Sequence, residues 1–213
     1  ENVVANKHPL TLTATVKGVD DKSVTWSTTS NDITVVDGVV TTKGPIYEET
    51  EALVRATSVA DPTVYVEKKI TVAASEIVVT GPGSTLFNIK DRNVEGFDFK
   101  TLFSITVDGD SVDVTDDVID TSAVKAEKGV YVVNVDYHGV KAQAIINVEE
   151  TSYKVEASQK PVTLKAMEVE TYDFKSLFSV TMDGEAVEVT DDMVTSNVKS
   201  EVGDYTVTVE YHG

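Results

Sequence analysis

Two runs of acidic side chains hold the residue types best suited to chemistry in this chain. Asp108, Asp110, Asp113, Asp116 and Asp117 are followed 75 residues later by Asp183, Glu185, Glu188, Asp191 and Asp192. Clustered carboxylates serve two chemistries. Calcium takes roughly six to eight oxygen ligands, which loops converging at one end of a β-structure can supply. The spacing here is not that of an EF-hand loop, which needs its central glycine and a distal glutamate. Strand alternation also sends Asp113 outward, away from Asp116. Glycoside hydrolysis needs two carboxyl groups about 5–10 Å apart across a cleft. Sugar clefts usually add several aromatic side chains, and aromatics make up only 7% of this chain. Asp108-Gly109 and Asp183-Gly184 read equally well as hairpin turns, and Thr-Asp-Asp as a solvated corner. No residue is therefore assigned a catalytic, cofactor-binding or metal-ligating role, and calcium is the one cation the two clusters suit.

The histidines and the tryptophan also invite functional readings. His138 and His212 both stand in Tyr-His-Gly, at matching positions. No Ser or Cys lies beside either in the pattern of an activated nucleophile. A tight turn between two strands, with the imidazole exposed, accounts for both. Trp26 is the single tryptophan, placed on a strand where such a residue plugs a β-sandwich core. Phe99, Leu102 and Phe103, with their counterparts Phe174, Leu177 and Phe178, fit a short helical turn that seals one end of a sandwich.

The elements that position these residues repeat. The stretch FDFKTLFSITVDGDSVDVTDDVIDTSAVKAEKGVYVVNVDYHG, Phe97–Gly139, returns as YDFKSLFSVTMDGEAVEVTDDMVTSNVKSEVGDYTVTVEYHG, Tyr172–Gly213. A self-similar period of this length marks an array of small units. Of the 213 residues, 41% are hydrophobic, enough for folded cores, and valine, threonine and tyrosine favour strands. No run of about eighteen apolar residues is present to span a membrane. No basic-then-apolar leader is visible, so any signal peptide was removed or lies upstream. The net charge of −18 works against nucleic acid and anionic lipid as partners. The absence of cysteine rules out disulfides and thiol chemistry.

Ahead of the repeats, Leu10, Leu12, Ala14 and Val16 alternate with Thr11, Thr13 and Thr15, as on a half-buried strand. A turn at Gly18–Lys22 leads to Val24–Ser27. Ile33–Val36 and Val39–Thr42 flank Asp37-Gly38, a strong hairpin signal because both turn positions require positive φ. Leu53–Thr57 and Val64–Val72 flank the turn at Asp61-Pro62. The pattern is that of an all-β sandwich.

VTWSTTSNDITVVDGVVTTKG followed by ALVRATSVADPTVYVEKKITV resembles the bacterial immunoglobulin-like group 2 domain. It departs from that pattern in the longer acidic loop Pro45–Glu51 and in a first strand that is missing or weak ahead of Asn6. Each repeat resembles another bacterial immunoglobulin-like group, through Asp-Gly…Val-Thr and the Tyr-His-Gly hairpin. Three tandem immunoglobulin-like β-sandwich domains are expected, over residues 1–74, 75–149 and 150–213, the last lacking its final strand and leaving Tyr205–Tyr211 an open edge. Joints of three or four residues, Ala73–Ser75 and Glu149–Ser152, leave neighbours little freedom, so an extended acidic array is expected.

The resemblance implies a structural stalk, spacer or lattice segment of a bacterial cell-surface protein, extracellular and most like an S-layer subunit. Self-assembly and the neighbouring domains of a longer chain are its implied partners; no cofactor is expected, and calcium is left open by the acidic clusters alone. An adhesin or carbohydrate- or protein-binding module, and a bacteriophage virion decoration, are the alternatives.

Overall fold

The computed structural model of the chain describes residues 2–212. They form an all-β structure of nineteen strands, with five short 3₁₀ turns. Contacts divide the chain into two compact units. One takes in the chain up to Phe87 together with Gly96–Val124 and Val130–Asn147. The other takes in Asn88–Glu95, Lys125–Gly129 and the chain from Val148 onward.

In the first unit, the leading strands are β1 (Val3–Val4), β2 (Leu10–Thr11), β3 (Val24–Thr28), β4 (Ile33–Val36), β5 (Val39–Thr42), β6 (Thr50–Ser58) and β7 (Tyr65–Val72). They make two sheets, of order β1-β7-β6-β3 and β2-β5-β4. Val4, Ile33, Val40, Ala52, Val54, Ile70 and Val72 from both sheets share one buried core with Ile46 of the loop between β5 and β6. Period-2 alternation puts them there: along β6, Ala52, Val54, Ala56 and Ser58 are buried while Glu51, Leu53 and Arg55 face outward.

One expectation for this segment is corrected. The alternation from Leu10 to Val16 persists in burial, but only Leu10–Thr11 pairs as a strand. Its partner explains why. Leu10 and Thr11 lie opposite Val40 and Val39, Leu12 N–H then donates to Gly38 O at 2.8 Å, and at Asp37-Gly38 the partner strand turns away. The first strand expected to be missing or weak is β1, two residues long and parallel to β7 through Val3↔Thr71 and Val4↔Val72.

The first repeat supplies β8 (Ile77–Thr80), β9 (Leu86–Lys90), β10 (Ser104–Val107), β11 (Asp110–Val112), β12 (Ile119–Asp120), β13 (Gly129–Tyr137) and β14 (Val140–Glu149). Their sheets have the orders β11-β10-β8 and β12-β13-β14-β9. Val133, Val135, Ala144, Ile146 and Val148 are fully buried. The large ones contribute about 1.5–3 kcal/mol each by leaving water.

In the second unit, β15 (Tyr153–Ala157), β16 (Phe178–Met182) and β17 (Glu185–Val187) form one sheet, and β18 (Val194–Ser196) pairs with β19 (Val207–Val209). The sequence repeat is thus a structural one. Thr106↔Ser111 in the first copy becomes Thr181↔Ala186 in the second. The expected helical turns are 3₁₀ turns at Phe99–Leu102 and Phe174–Leu177. Asp98 and Asp173 cap them by accepting the Lys100 and Lys175 N–H groups, each at 3.1 Å.

Gly38 is a point of close approach. Its φ is +81°, and a Cβ there would lie 2.4 Å from the Leu12 carbonyl oxygen and 3.1 Å from the Trp26 ring. Gly109 has φ +82° but open space around it. Urea unfolding of Gly109→Ala should show only the left-handed penalty, roughly 1–2 kcal/mol. Gly38→Ala should cost clearly more, because backbone must also move; equal losses would refute the close approach.

Candidate functional site

The acidic clusters do not act as units. Their first members, Asp108 and Asp183, occupy the first position of two-residue turns, with φ of 50° and 53° followed by Gly109 and Gly184 at 82° and 86°. Aspartate tolerates this left-handed backbone better than most residues. The turn brings each carboxylate back to the short segment that enters its repeat.

Asp108 N–H donates to Glu76 O at 2.8 Å, and its Oδ1 accepts Glu76 N–H at 2.9 Å. Oδ2 accepts from Asn6 Nδ2 at 2.7 Å. Lys7 Nζ donates to Asp108 O at 2.9 Å and pairs with Asp110 at 2.7 Å. Asn6 and Lys7 are presented by a tight turn that Ala5 and His8 close, with Lys7 at φ 62°. Burial pushes the Asp108 carboxyl up, but hydrogen bonds from Asn6, Ser75 and Glu76 outweigh it and hold the group below its ordinary 3.8. Ser75 also exchanges hydrogen bonds with the backbone of Ile46.

Asp183 repeats the arrangement with charge added. Its N–H donates to Ser152 O at 2.8 Å, and Oδ1 accepts Ser152 N–H at 3.0 Å. Arg92 Nη1 donates to Oδ2, and Lys90 Nζ lies 3.3 Å from Oδ1 and 3.2 Å from Glu149. Beside it, Asp91 accepts both the N–H and the hydroxyl of Thr151, a buried polar residue. The Ser152 N–H first, and then Arg92, hold the Asp183 carboxyl down to about 2. These bonds come from the same turn position in both repeats, and each fixes the entering backbone at two points. We call the arrangement a clasp.

Each repeat also brings its Tyr-His-Gly turn to an aromatic partner. His138, at φ 48° before Gly139 at 87°, forms the expected tight turn between β13 and β14. The loop Pro45–Glu51 supplies Tyr47, whose ring stacks on His138 at 3.6 Å and 8°. Tyr47 and Tyr137 share a hydroxyl–hydroxyl hydrogen bond of 3.1 Å, which, with burial, pushes the Tyr137 phenol up to about 12. In the second repeat, Tyr153 lies 5.7 Å from Tyr211 and 5.1 Å from His212. Gly213, the last residue of that motif, lies outside the described residues.

The remaining acidic residues are dispersed. Asp116 pairs with Lys100 and Asp191 with Lys175, both at 2.8 Å. Hydrogen bonds from Thr115 and Thr190 hold Asp117 and Asp192 below the ordinary carboxylate value. Among the described residues no group of three or more His, Asp or Glu side chains is gathered to hold a metal. Trp26 is half-buried at the margin of its core, so it is a less complete plug than its strand position suggested.

The sequence reading missed Asn6, Lys7, Lys90 and Arg92, the upstream half of each clasp. One signal was available: Asp108 and Asp183 follow the short joints at nearly equal distances, 32 residues after Glu76 and 31 after Ser152, whereas Asn6 and Arg92 have no repeat relationship to one another.

No protein-family model matches the chain, and no curated protein matches it. Among solved structures, a similar chain is that of "Crystal structure of the S-layer protein rSbsC(31-844)", at 15% identity and a TM-score of 0.22. The match covers 91% of this chain and 29% of that one, so this chain spans under a third of that protein's length. A superposition at this level assigns neither fold nor role.

The clasp at Asp183 has a pH signature. Its folded value of about 2 lies below the ordinary 3.8, so its contribution is present above about pH 4 and is lost as pH falls through 2. Asp183→Asn should be less stable than wild type at pH 7, with the gap closing between pH 4 and 2 in thermal melts. A gap independent of pH would rule out the ionic clasp.

Proposed function

We propose that this chain is a non-catalytic structural segment, three immunoglobulin-like modules over residues 1–74, 75–149 and 150–213. The observation that carries the reading is the clasp, made twice from the same turn aspartate at the entry to each repeat. A binding module needs an open surface and an enzyme a convergent set of reactive groups. Here the most heavily hydrogen-bonded carboxylates are spent on holding backbone, which suits a stalk, spacer or lattice segment whose neighbours keep a fixed arrangement.

More particularly, we read it as part of an S-layer-like protein of the bacterial cell surface. That step leans on the sequence resemblance and on the acidic, cysteine-free, valine- and threonine-rich composition. Its partners would be neighbouring modules and further copies. Calcium at the dispersed carboxylates would enter as a counter-ion between copies rather than as a cofactor.

The test is to open both clasps, with Asp108→Ala and Asp183→Ala in one chain. Limited proteolysis followed by mass spectrometry should show new cleavage near Ala73–Glu76 and Glu149–Ser152, with the far-UV circular dichroism unchanged. Joints as resistant as in wild type would mean that the clasps do not fix the array, and the structural reading would lose its support.

A further inference from the structure

Asp-Gly occurs three times in the chain, at Asp37, Asp108 and Asp183. All three make the same turn: the aspartates have φ of 48°, 50° and 53°, and the glycines after them 81°, 82° and 86°. Asp-Gly is the aspartyl pair most open to attack on itself. Glycine has no Cβ to shield its amide nitrogen from the preceding carboxyl carbon. Residue type and turn geometry are matched across the three, so the freedom of the carboxylate is what separates them.

Asp108 and Asp183 are both half-buried and tied to other segments. Asp108 accepts from Glu76 N–H through Oδ1 and from Asn6 Nδ2 through Oδ2. Asp183 accepts from Ser152 N–H through Oδ1 and from Arg92 through Oδ2. Either carboxyl carbon must leave two donors before it can reach the glycine nitrogen beside it. The same bonds keep both groups ionised, and the neutral acid is the form whose hydroxyl departs. With Asp183 held at about 2 against an ordinary 3.8, that form is rarer by roughly tenfold or more. Asp37 is exposed, and its carboxylate meets no donor among the described residues. The Gly38 N–H stands outside the strand ladder, because Val36 and Val39 are the pair that closes the turn.

We propose that Asp37 is a site of spontaneous isomerisation to isoaspartate, from which the clasps protect Asp108 and Asp183. The Gly38 nitrogen attacks Asp37 Cγ and a C–N bond forms. The amide proton and the carboxyl hydroxyl leave as water, giving a five-membered succinimide. Water then adds to the former main-chain carbonyl of Asp37, the C–N bond there breaks, and the chain continues through Cγ. One water is lost and one regained, so mass and oxidation state are unchanged. The main chain gains one methylene between Val36 and Gly38.

Gly38 has no slack to take up that methylene. It is buried, and its carbonyl accepts Leu12 N–H at 2.8 Å. A Cβ added there would already lie 2.4 Å from the Leu12 carbonyl oxygen. β2 is held to β5 only through Leu10↔Val40 and Thr11↔Val39. A lengthened turn therefore moves Val39 and lets β2 go, so isomerisation at one exposed residue loosens the entry to the first module.

The test is to age the intact chain for weeks at neutral pH and warm temperature, folded and in concentrated urea. Isoaspartate is then located in proteolytic peptides by enzymatic methyl transfer and mass spectrometry. In the folded chain position 37 should carry several-fold more isoaspartate than 108 or 183, and in urea the three should converge. The aged fraction, separated from fresh protein, should exchange the Leu12 amide hydrogen several-fold faster. Isomerisation at 37 no greater than at 108 and 183 overturns the proposal. A ranking that persists in urea removes the protective role of the clasps, and unchanged Leu12 exchange removes the release of β2.

Discussion

The joints depend on one carboxylate doing two things at once. At each repeat entry the aspartate N–H donates to a carbonyl and its side chain accepts the N–H of that same residue, Glu76 or Ser152. This closes a small ring around a single backbone unit. It works because the turn needs positive φ, and aspartate is among the few non-glycine residues that accept it. Removing the side chain would leave the turn possible and the entering strand unfixed. Glycine could make the bend, and only aspartate or asparagine could also make the bond.

Charge decides what the rest of each joint is made of. With 36 acidic and 18 basic residues, a folded chain must separate its carboxylates or give them donors. The first joint answers with a neutral amide, Asn6, and a lysine directed at a carbonyl and at Asp110. The second uses Lys90 and Arg92 together, and there the Ser152 N–H first, and then Arg92, hold Asp183 down to about 2. Exposed ion pairs elsewhere, such as Lys69 with Glu51 or Lys154 with Glu156, contribute little apiece because water and salt screen them. The Asp183 group differs because its Oδ1 also meets the Ser152 backbone N–H, whose position does not relax away.

Much of the β-structure was legible because it is written locally. The hairpin Ile33–Thr42 follows from Asp37-Gly38 between two apolar pairs, and Val36 does face Val39. The short helical turns followed from the spacing of Phe, Leu and Phe. What could not be read was set by pairing at a distance. Leu12–Val16 looks like strand in sequence, yet it lacks a strand where its neighbour turns at Gly38. Val3–Val4 looks negligible, yet β7 offers it hydrogen bonds. The site was legible by halves. Asp108 and Asp183 stood out as acidic and repeated, and so suggested a metal, but their donors lie 102 and 91 residues away, beyond any spacing rule.

The two clasps also differ in a way that bears on how such chains change over time. The position 75 residues after Arg92 holds Met167, which is 82% exposed, and the position after Asp91 holds Ala166. The second repeat therefore carries the receiving aspartate without the donor that the first repeat offers its successor. Duplication or shuffling of these modules by recombination would not yield freely interchangeable parts. A copy of the second repeat inserted ahead of another would meet its aspartate with a thioether instead of a guanidinium. Exchanging the two repeats would therefore part the turn aspartate from the arginine that meets it.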